Sequence, residues 1–236
     1  MPATVAALYR YPVKGFTPET CEALTVRADG RIEGDRVLGV RFADTPEADD
    51  QWAAKPGMLV LMNTPGLAKL RLRFDQPAQR LTLTLDGAPF VSVTLDAAGR
   101  AHLADVLASY TACLDENPLR DRPERLPLRI VGDGMTPRYH DSQAGNVSVH
   151  SRASLQAVAG AFGDRTFDEV RFRSNIALEG LEPWEELAWA DRRVRIGEVE
   201  FEGVKPMVRC LATHANPATG QRDRQVMTTL THAFQQ

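Results

Sequence analysis

RCLATHANPATG, residues 209–220, sets a cysteine directly after an arginine and four residues before a histidine. Cations beside a thiol favour the thiolate, the form that attacks electrophiles and binds soft metals, and Lys205 and Arg209 both lie near Cys210 in sequence. On a helix Cys210 and His214 would meet as nucleophile and base. Val208, Leu211 and Pro217 instead favour a strand running into a loop, which would part them. A lone cysteine is also among the most buried of side chains, so an inert Cys210 packed at a strand end stands beside the reactive reading.

Four further stretches offer groups for anion chemistry. In YPVKG, Pro12 keeps Tyr11 extended and Gly15 permits positive φ, so Lys14 ends a strand where its ammonium can project into a cleft. In DGRIEGDRVLGV, Gly34 makes a turn, Asp35 suits an Asx turn and Arg36 opens the next strand. In EVRFRSNIALEG, strand alternation would put Arg171 and Arg173 on one face, and planar guanidiniums bind phosphate oxygens in pairs. Asp141 and Ser142 fall in a loop, where they can serve a turn or offer a hydroxyl and backbone N–H groups to an anion. Each of these also has an ordinary reading as a solvated strand-end charge. His102, His140, His150 and His232 show neither HxxxH nor HExxH spacing, so no zinc motif is encoded.

The elements that must position these groups are mostly strands. Short alternating or apolar runs at 4–13, 21–30, 35–42, 58–63, 69–74, 80–87 and 89–95 are separated by turn signals. Asp86-Gly87 marks a hairpin turn, and a second hairpin precedes it. Helical spacing appears at 101–114, where Leu103, Val106, Leu107 and Leu114 share a face that Cys113 can join, and again at 151–162 behind a Ser151 or Ser154 cap. Strands return at 145–150, 169–180, 192–204 and 205–214. The proline-rich, charged stretch 113–131 separates a β-rich first half from a mixed second half, giving domains at 1–120 and 121–236.

Composition narrows the function classes. The 236 residues are 43% hydrophobic and 25% charged, with a formal net charge of −3, so no global charge argues for nucleic acid or an anionic membrane. No run approaches a membrane span and the start lacks a signal-peptide pattern, so a cytoplasmic protein is expected. Cys21, Cys113 and Cys210 are too few and too scattered for a disulfide framework or a CxxC site.

Taken in order, YPVKG, GDRVLGV, the Asp141-Ser142 loop, FRSNIALEG, RIGEVEFEGV, VRCLATHANPATG and a terminal TTL resemble the MOSC family, the domain named after the C-terminal part of molybdenum cofactor sulfurase. The first half is similar to the β-barrel domain that precedes MOSC in the mitochondrial amidoxime-reducing component and its bacterial relatives. The resemblance implies a mainly β, α+β fold: a MOSC β-barrel behind a smaller barrel-like domain, holding a pyranopterin molybdenum cofactor with one Mo. It implies Cys210 as the metal ligand and catalytic centre, and Lys14, Gly15, Arg36, Asp141, Ser142, Arg173, Asn175 and Arg209 as cofactor-binding residues. Pyridoxal phosphate binding is a further family-level association.

The chain departs from the family in places. Gly15 stands where relatives often carry Ser, Val208 where eukaryotic relatives have a small polar residue, and Asn216 where Asp is common. Ala53 and Ala54 fall where many relatives place Arg, with Lys55 as a substitute. The MOSC domain also reads as shortened at its C-terminus. No iron–sulfur, haem or flavin motif accompanies it. The implied function is an oxotransferase that reduces an N-hydroxylated small molecule with electrons from a separate donor protein. The alternatives are a carrier of the cofactor, or of sulfur as a Cys210 persulfide, and a cofactor-free scaffold.

Overall fold

Period-two alternation over residues 70–95 builds the most regular part of the chain. The computed structural model describes residues 3–165 and 167–234. The strands are β1 (Thr4–Arg10), β2 (Glu19–Cys21), β3 (Gly39–Arg41), β4 (Leu70–Asp75), β5 (Arg80–Leu85), β6 (Ala88–Thr94), β7 (Arg129–Val131), β8 (Val149–Ser151), β9 (Ile176–Glu179), β10 (Arg193–Ile196) and β11 (Val199–Glu202). Three α-helices join them: α1 (Ala97–Ala112), α2 (Arg152–Ala161) and α3 (Val226–Phe234). The expected α+β class is what the chain adopts. Its strands form sheets of four, three, two and two, in the orders β2-β1-β9-β8, β4-β5-β6, β3-β7 and β10-β11, with no closed ladder among the described residues.

The β4-β5-β6 meander turns at Asp86 and Gly87, both at positive φ, as the Asp-Gly pair requires. Leu70, Leu72, Phe74, Leu81 and Leu83 point inward, and α1 covers them with Leu103, Ala104 and Leu107. That helix starts four residues earlier than its apolar spacing indicates, because Asp96 caps it by accepting from Gly99 N at 2.8 Å. Cys113 is exposed at its end and does not join the buried face. Helix α2 begins where expected, with the Ser151 hydroxyl accepting from Ala153 N.

The four-stranded sheet ties the two ends of the sequence together. Strand β1 pairs antiparallel with both β2 and β9, and β9 pairs parallel with β8 through the α2 crossover. Strand β3 likewise pairs with β7. In consequence the loop after β1, the loop before β3 and the segment before β9 converge at one edge.

Of the expected strands, 21–30 supplies only Cys21 to β2 and an isolated bridge at Val26, and three more take other forms. Residues 58–63 turn back on themselves, held by Asn63, whose side chain accepts from Val60 N and donates to Met58 O. Residues 169–172 form a 3₁₀ turn because Asp168 caps it, accepting from Val170 N at 3.0 Å; Arg173 ends that turn in the left-handed region at φ 55°. Arg171 and Arg173 therefore do not share a strand face. Residues 204–210 are extended but join no sheet, and Leu211–His214 is a 3₁₀ turn. The terminal TTL belongs to α3, which period-two reading does not anticipate.

A half-buried polar cluster anchors the 3₁₀ turn to the sheet and to α2. Glu169 accepts from Tyr9 Oη at 2.6 Å and from both Nε and Nη2 of Arg152 at 2.9 Å, with His150 Nε2 3.5 Å away. Burial alone would raise the Glu169 carboxyl, but Arg152, His150 and Tyr9 outweigh it and hold the group far below the usual carboxylate range. A depressed carboxyl stabilises the fold fully above the unfolded value of about 4.3, and that contribution fades as pH falls toward the folded value. Glu169→Gln should therefore cost about 2 kcal/mol at pH 7. Thermal melts of the two proteins should converge as the pH is lowered below about 4; a gap that persists unchanged in acid would show that Glu169 acts through packing rather than charge.

Candidate functional site

The edge where the loops converge opens into a cleft of about 920 Å³. Its scaffold is the Asp35 carboxylate, only 1% exposed. Asp35 Oδ1 accepts from Tyr11 N at 2.7 Å and from Asn175 Nδ2 at 3.3 Å, while Oδ2 accepts from the Arg36 guanidinium and lies 3.4 Å from His140 Nε2. Burial pushes this carboxyl up, yet Arg36, His140 and the Tyr11 N–H together keep it below the ordinary range, so it is ionised. Burial also lowers the pKa of His140.

Around that carboxylate two guanidiniums flank one ring. Arg36 sits 4.8 Å and Arg173 4.5 Å from the centroid of the buried Tyr11. The two are also cross-linked, Arg36 donating to Arg173 O at 3.2 Å and Arg173 donating to Phe16 O. Both residues hold positive φ, Arg36 at 51° and Arg173 at 55°, strain that the surrounding bonds must offset. The next cation is Lys14, 2% exposed, whose ammonium donates to His140 O at 3.0 Å and Ala53 O at 3.4 Å and stands 5.6 Å from the Trp52 ring. Burial lowers its pKa to about 8, with Asp141 working the other way.

Cys210 lines the same cleft as this group. Lys55 Nζ bridges the two, 2.9 Å from Asp141 Oδ2 and 3.6 Å from Cys210 Sγ. Burial works against the Lys55 charge, but Asp141 and Cys210 raise its pKa on balance. Arg209 lies over the Phe172 ring at 4.7 Å and donates to Phe172 O at 3.1 Å; burial lowers its pKa to about 10. His214 is no partner for Cys210: its Nε2 accepts from Met227 N at 3.2 Å, at the start of α3.

Lys14, Gly15, Arg36, Asp141, Ser142, Arg173, Arg209 and Cys210 thus all line one cleft, although they come from five separate stretches of sequence. Asn175 stands behind the wall. It is 1% exposed, donates to Tyr9 O and Asp35 and accepts from Ser148 Oγ at 3.0 Å, so it braces Asp35 instead of facing the cleft. Arg171 borders the cleft, but its guanidinium is engaged elsewhere. It binds Asp223 at 2.8 Å and His214 O at 3.2 Å, fastening the turn after Cys210 to the turn before Arg173.

Gly15 has a steric reason for its identity. Its φ is 83°, and a Cβ there would lie 2.6 Å from Val60 Cα, so the serine of relatives has no room on this backbone. Asn216 makes the Asx turn expected of it, accepting from Ala218 N and Thr219 N. Asp35, Tyr11, Trp52 and His140 escape a reading by motif. The legible signal for Asp35 is a charged pair, Asp35-Arg36, placed directly after a turn glycine.

Among the described residues no group of three or more His, Cys, Asp or Glu side chains is arranged to hold a metal ion. One soft thiol within a ring of cations fits a metal that arrives inside an anionic group carrying its own further ligands. No helix among the described residues is long and apolar enough to cross a membrane.

Comparison with known proteins agrees with this chemistry. Over 67 residues, 28% of this chain, the sequence is 43% identical to a molybdenum cofactor sulfurase of Drosophila grimshawi, of which the match spans 8%. Over 84 residues, 36% of this chain, it is 36% identical to mitochondrial amidoxime-reducing component 1 of Mus musculus, of which it spans 24%. The chain thus matches only a small part of the length of either relative. The MOSC domain model matches residues 136–236, the part of the chain that supplies Asp141, Ser142, Arg173, Arg209 and Cys210 to the cleft.

Proposed function

We propose that the cleft binds a pyranopterin molybdenum cofactor and that the loaded protein reduces N-hydroxylated small molecules with electrons from a separate donor protein. The observation that carries this reading is Cys210 Sγ, 3.6 Å from Lys55 Nζ, in a cleft that Lys14, Arg36 and Arg173 also line. Cys210 would be the thiolate ligand to molybdenum. Lys14, Arg36 and Arg173 would meet the anionic end of the cofactor, with Gly15 and Ser142 offering backbone and hydroxyl donors. When bound, the cofactor supplies two-electron redox chemistry and oxygen-atom transfer.

The residues themselves prepare that binding. Asp35 fixes Arg36, and Arg36 with Phe16 O fixes Arg173, so both guanidiniums are oriented before a ligand arrives. Among the described residues the Lys14 ammonium makes direct contact with carbonyls and an aromatic face, and although Asp141 acts on it, burial outweighs that effect and leaves it ready for an anion. Lys55 holds the Cys210 sulfur and Asp141 in one arrangement in the cleft. Arg209, packed on Phe172, keeps the backbone entering Cys210 in place.

Molybdenum content tests the metal assignment. Expressed in a host that makes the cofactor, the chain should carry about one molybdenum, and Cys210→Ala should lose it while keeping the melting temperature of the cofactor-free parent chain. Full occupancy in the variant would remove Cys210 from the metal. Turnover of a hydroxylamine with a chemical reductant then supports the reductase, whereas tight cofactor without turnover assigns a carrier and absence of metal a scaffold.

The Lys14 shift gives an independent test on the cofactor-free chain, with sulfate as an anion that does not itself titrate near neutrality. An anion beside Lys14 stabilises its ammonium, so above the free-state value of about 8 binding must take up a proton. Sulfate affinity should hold level below pH 8 and fall by up to about tenfold per unit above it. Lys14→Met should weaken binding and remove that fall. A pH dependence that survives in the variant would assign it to another group.

A further inference from the structure

Besides its cationic residues, the cleft is lined by a set of apolar side chains. There the hairpin β10-β11 presents Ile196 and Phe201, the turn Glu185–Trp189 and the residue before it present Trp184 and Trp189, and α2 presents Leu155 and Val158. These side chains come from three elements that line the same cleft, so the apolar lining is not one bare sheet face. Along the hairpin the half-buried apolar residues alternate with exposed Arg193, Arg195, Glu200 and Glu202.

The carboxylate of Glu186 lines the same cleft. Glu186 Oε1 accepts from Ser151 N at 3.0 Å and Oε2 from Ser154 Oγ at 2.9 Å, and no cation lies within ion-pair distance of it among the described residues. Its charge nonetheless reaches Arg209, on which Cys210 also acts, which puts Glu186 and Cys210 within the electrostatic range of the same guanidinium. A second polar group belongs to the same wall. His150 is 5% exposed, lines the cleft, and its Nδ1 has no hydrogen-bond partner among the described residues.

An apolar lining with a few placed polar groups, in one cleft with a reactive sulfur, has the composition of a small-molecule site. We propose that this lining is the substrate subsite: it takes the alkyl or aromatic body of an N-hydroxylated substrate, while the Glu186 carboxylate accepts a hydrogen bond from the N–O–H or N–H end and directs it toward Cys210. This rests on the reaction proposed above for what happens at that end. The subsite itself is a property of side chains that are in place without the cofactor. It makes the protein selective for apolar-bodied substrates, with Glu186 as a positioning residue that also fastens α2.

Calorimetric titration of the full chain, cofactor-free and loaded, with acetohydroxamic, hexanohydroxamic and decanohydroxamic acids provides the test. Affinity should climb about three- to fourfold per added methylene until the subsite is full. Phe201→Asp should flatten the series. Glu186→Gln should weaken all three ligands by about tenfold without changing the slope; glutamine can still accept from Ser151 N and donate to Ser154 Oγ, so the fold is spared. In the loaded enzyme the same variant should raise KM more than it lowers kcat. A flat series in the unaltered protein, or a Glu186→Gln protein with unchanged affinities, overturns the proposal. Should the chain bind no molybdenum yet keep the slope and its Glu186 dependence, the reaction falls and the subsite stands. Turnover with neither length dependence nor a Glu186 effect has the opposite meaning.

Discussion

The buried Asp35 carboxylate is the constraint on which the site depends. A charge with 1% exposure persists only if nearly all of its acceptor capacity is used, and here a backbone N–H, an amide, a guanidinium and an imidazole converge on it. Those four partners come from the end of β1, the start of β9, the turn at Arg36 and the loop at His140. Removing any one leaves a buried charge short of compensation, so the arrangement resists partial opening. The cationic wall of the cleft is therefore a consequence of how the first and second halves of the sequence are joined, since Arg36 and Arg173 acquire their orientation from that junction.

Much of this was legible locally, and the rest was not for definite reasons. The Asp86-Gly87 hairpin, the α2 cap at Ser151 and the inward alternation of residues 70–83 depend on neighbours in sequence, and all three form as read. The strand expected at residues 205–214 fails because a ladder needs a partner: Pro206 lacks an N–H, and Val204, Met207 and Val208 are left exposed instead. The reading of Arg171 and Arg173 as one strand face overlooks the helical-turn signal of Asp168 followed by Glu169, which rotates the two side chains onto different tasks. Asp35 resembles any turn aspartate until the chain is folded, because each of its side-chain partners except Arg36 lies more than a hundred residues away.

The departures from the family pattern are accommodated by local structure. Gly15 cannot become serine while Val60 passes so close behind it, and Lys55 occupies the space beside Cys210 where an arginine was expected nearby. Lysine differs from arginine at such a place. It is a compact point charge on a flexible stem, able to serve Asp141 and a sulfur at once, whereas a planar fork would favour two oxygens of a single anion.

The same cations bear on stability as well as binding. Lys14, Arg36, Lys55, Arg173 and Arg209 line the cleft, while Asp35 and Asp141 are the carboxylates that answer them directly. The lowered pKa values of Lys14, Arg173 and Arg209, each led by burial, are the sign that the folded chain holds positive charge it does not fully compensate. Such a surplus works against the folded state until an anion enters, and a ligand that binds only the folded form adds stability in proportion to the logarithm of its saturation. The cleft is thus built short of negative charge, and the groups that make the empty chain less stable are the ones that would give an anionic ligand its affinity.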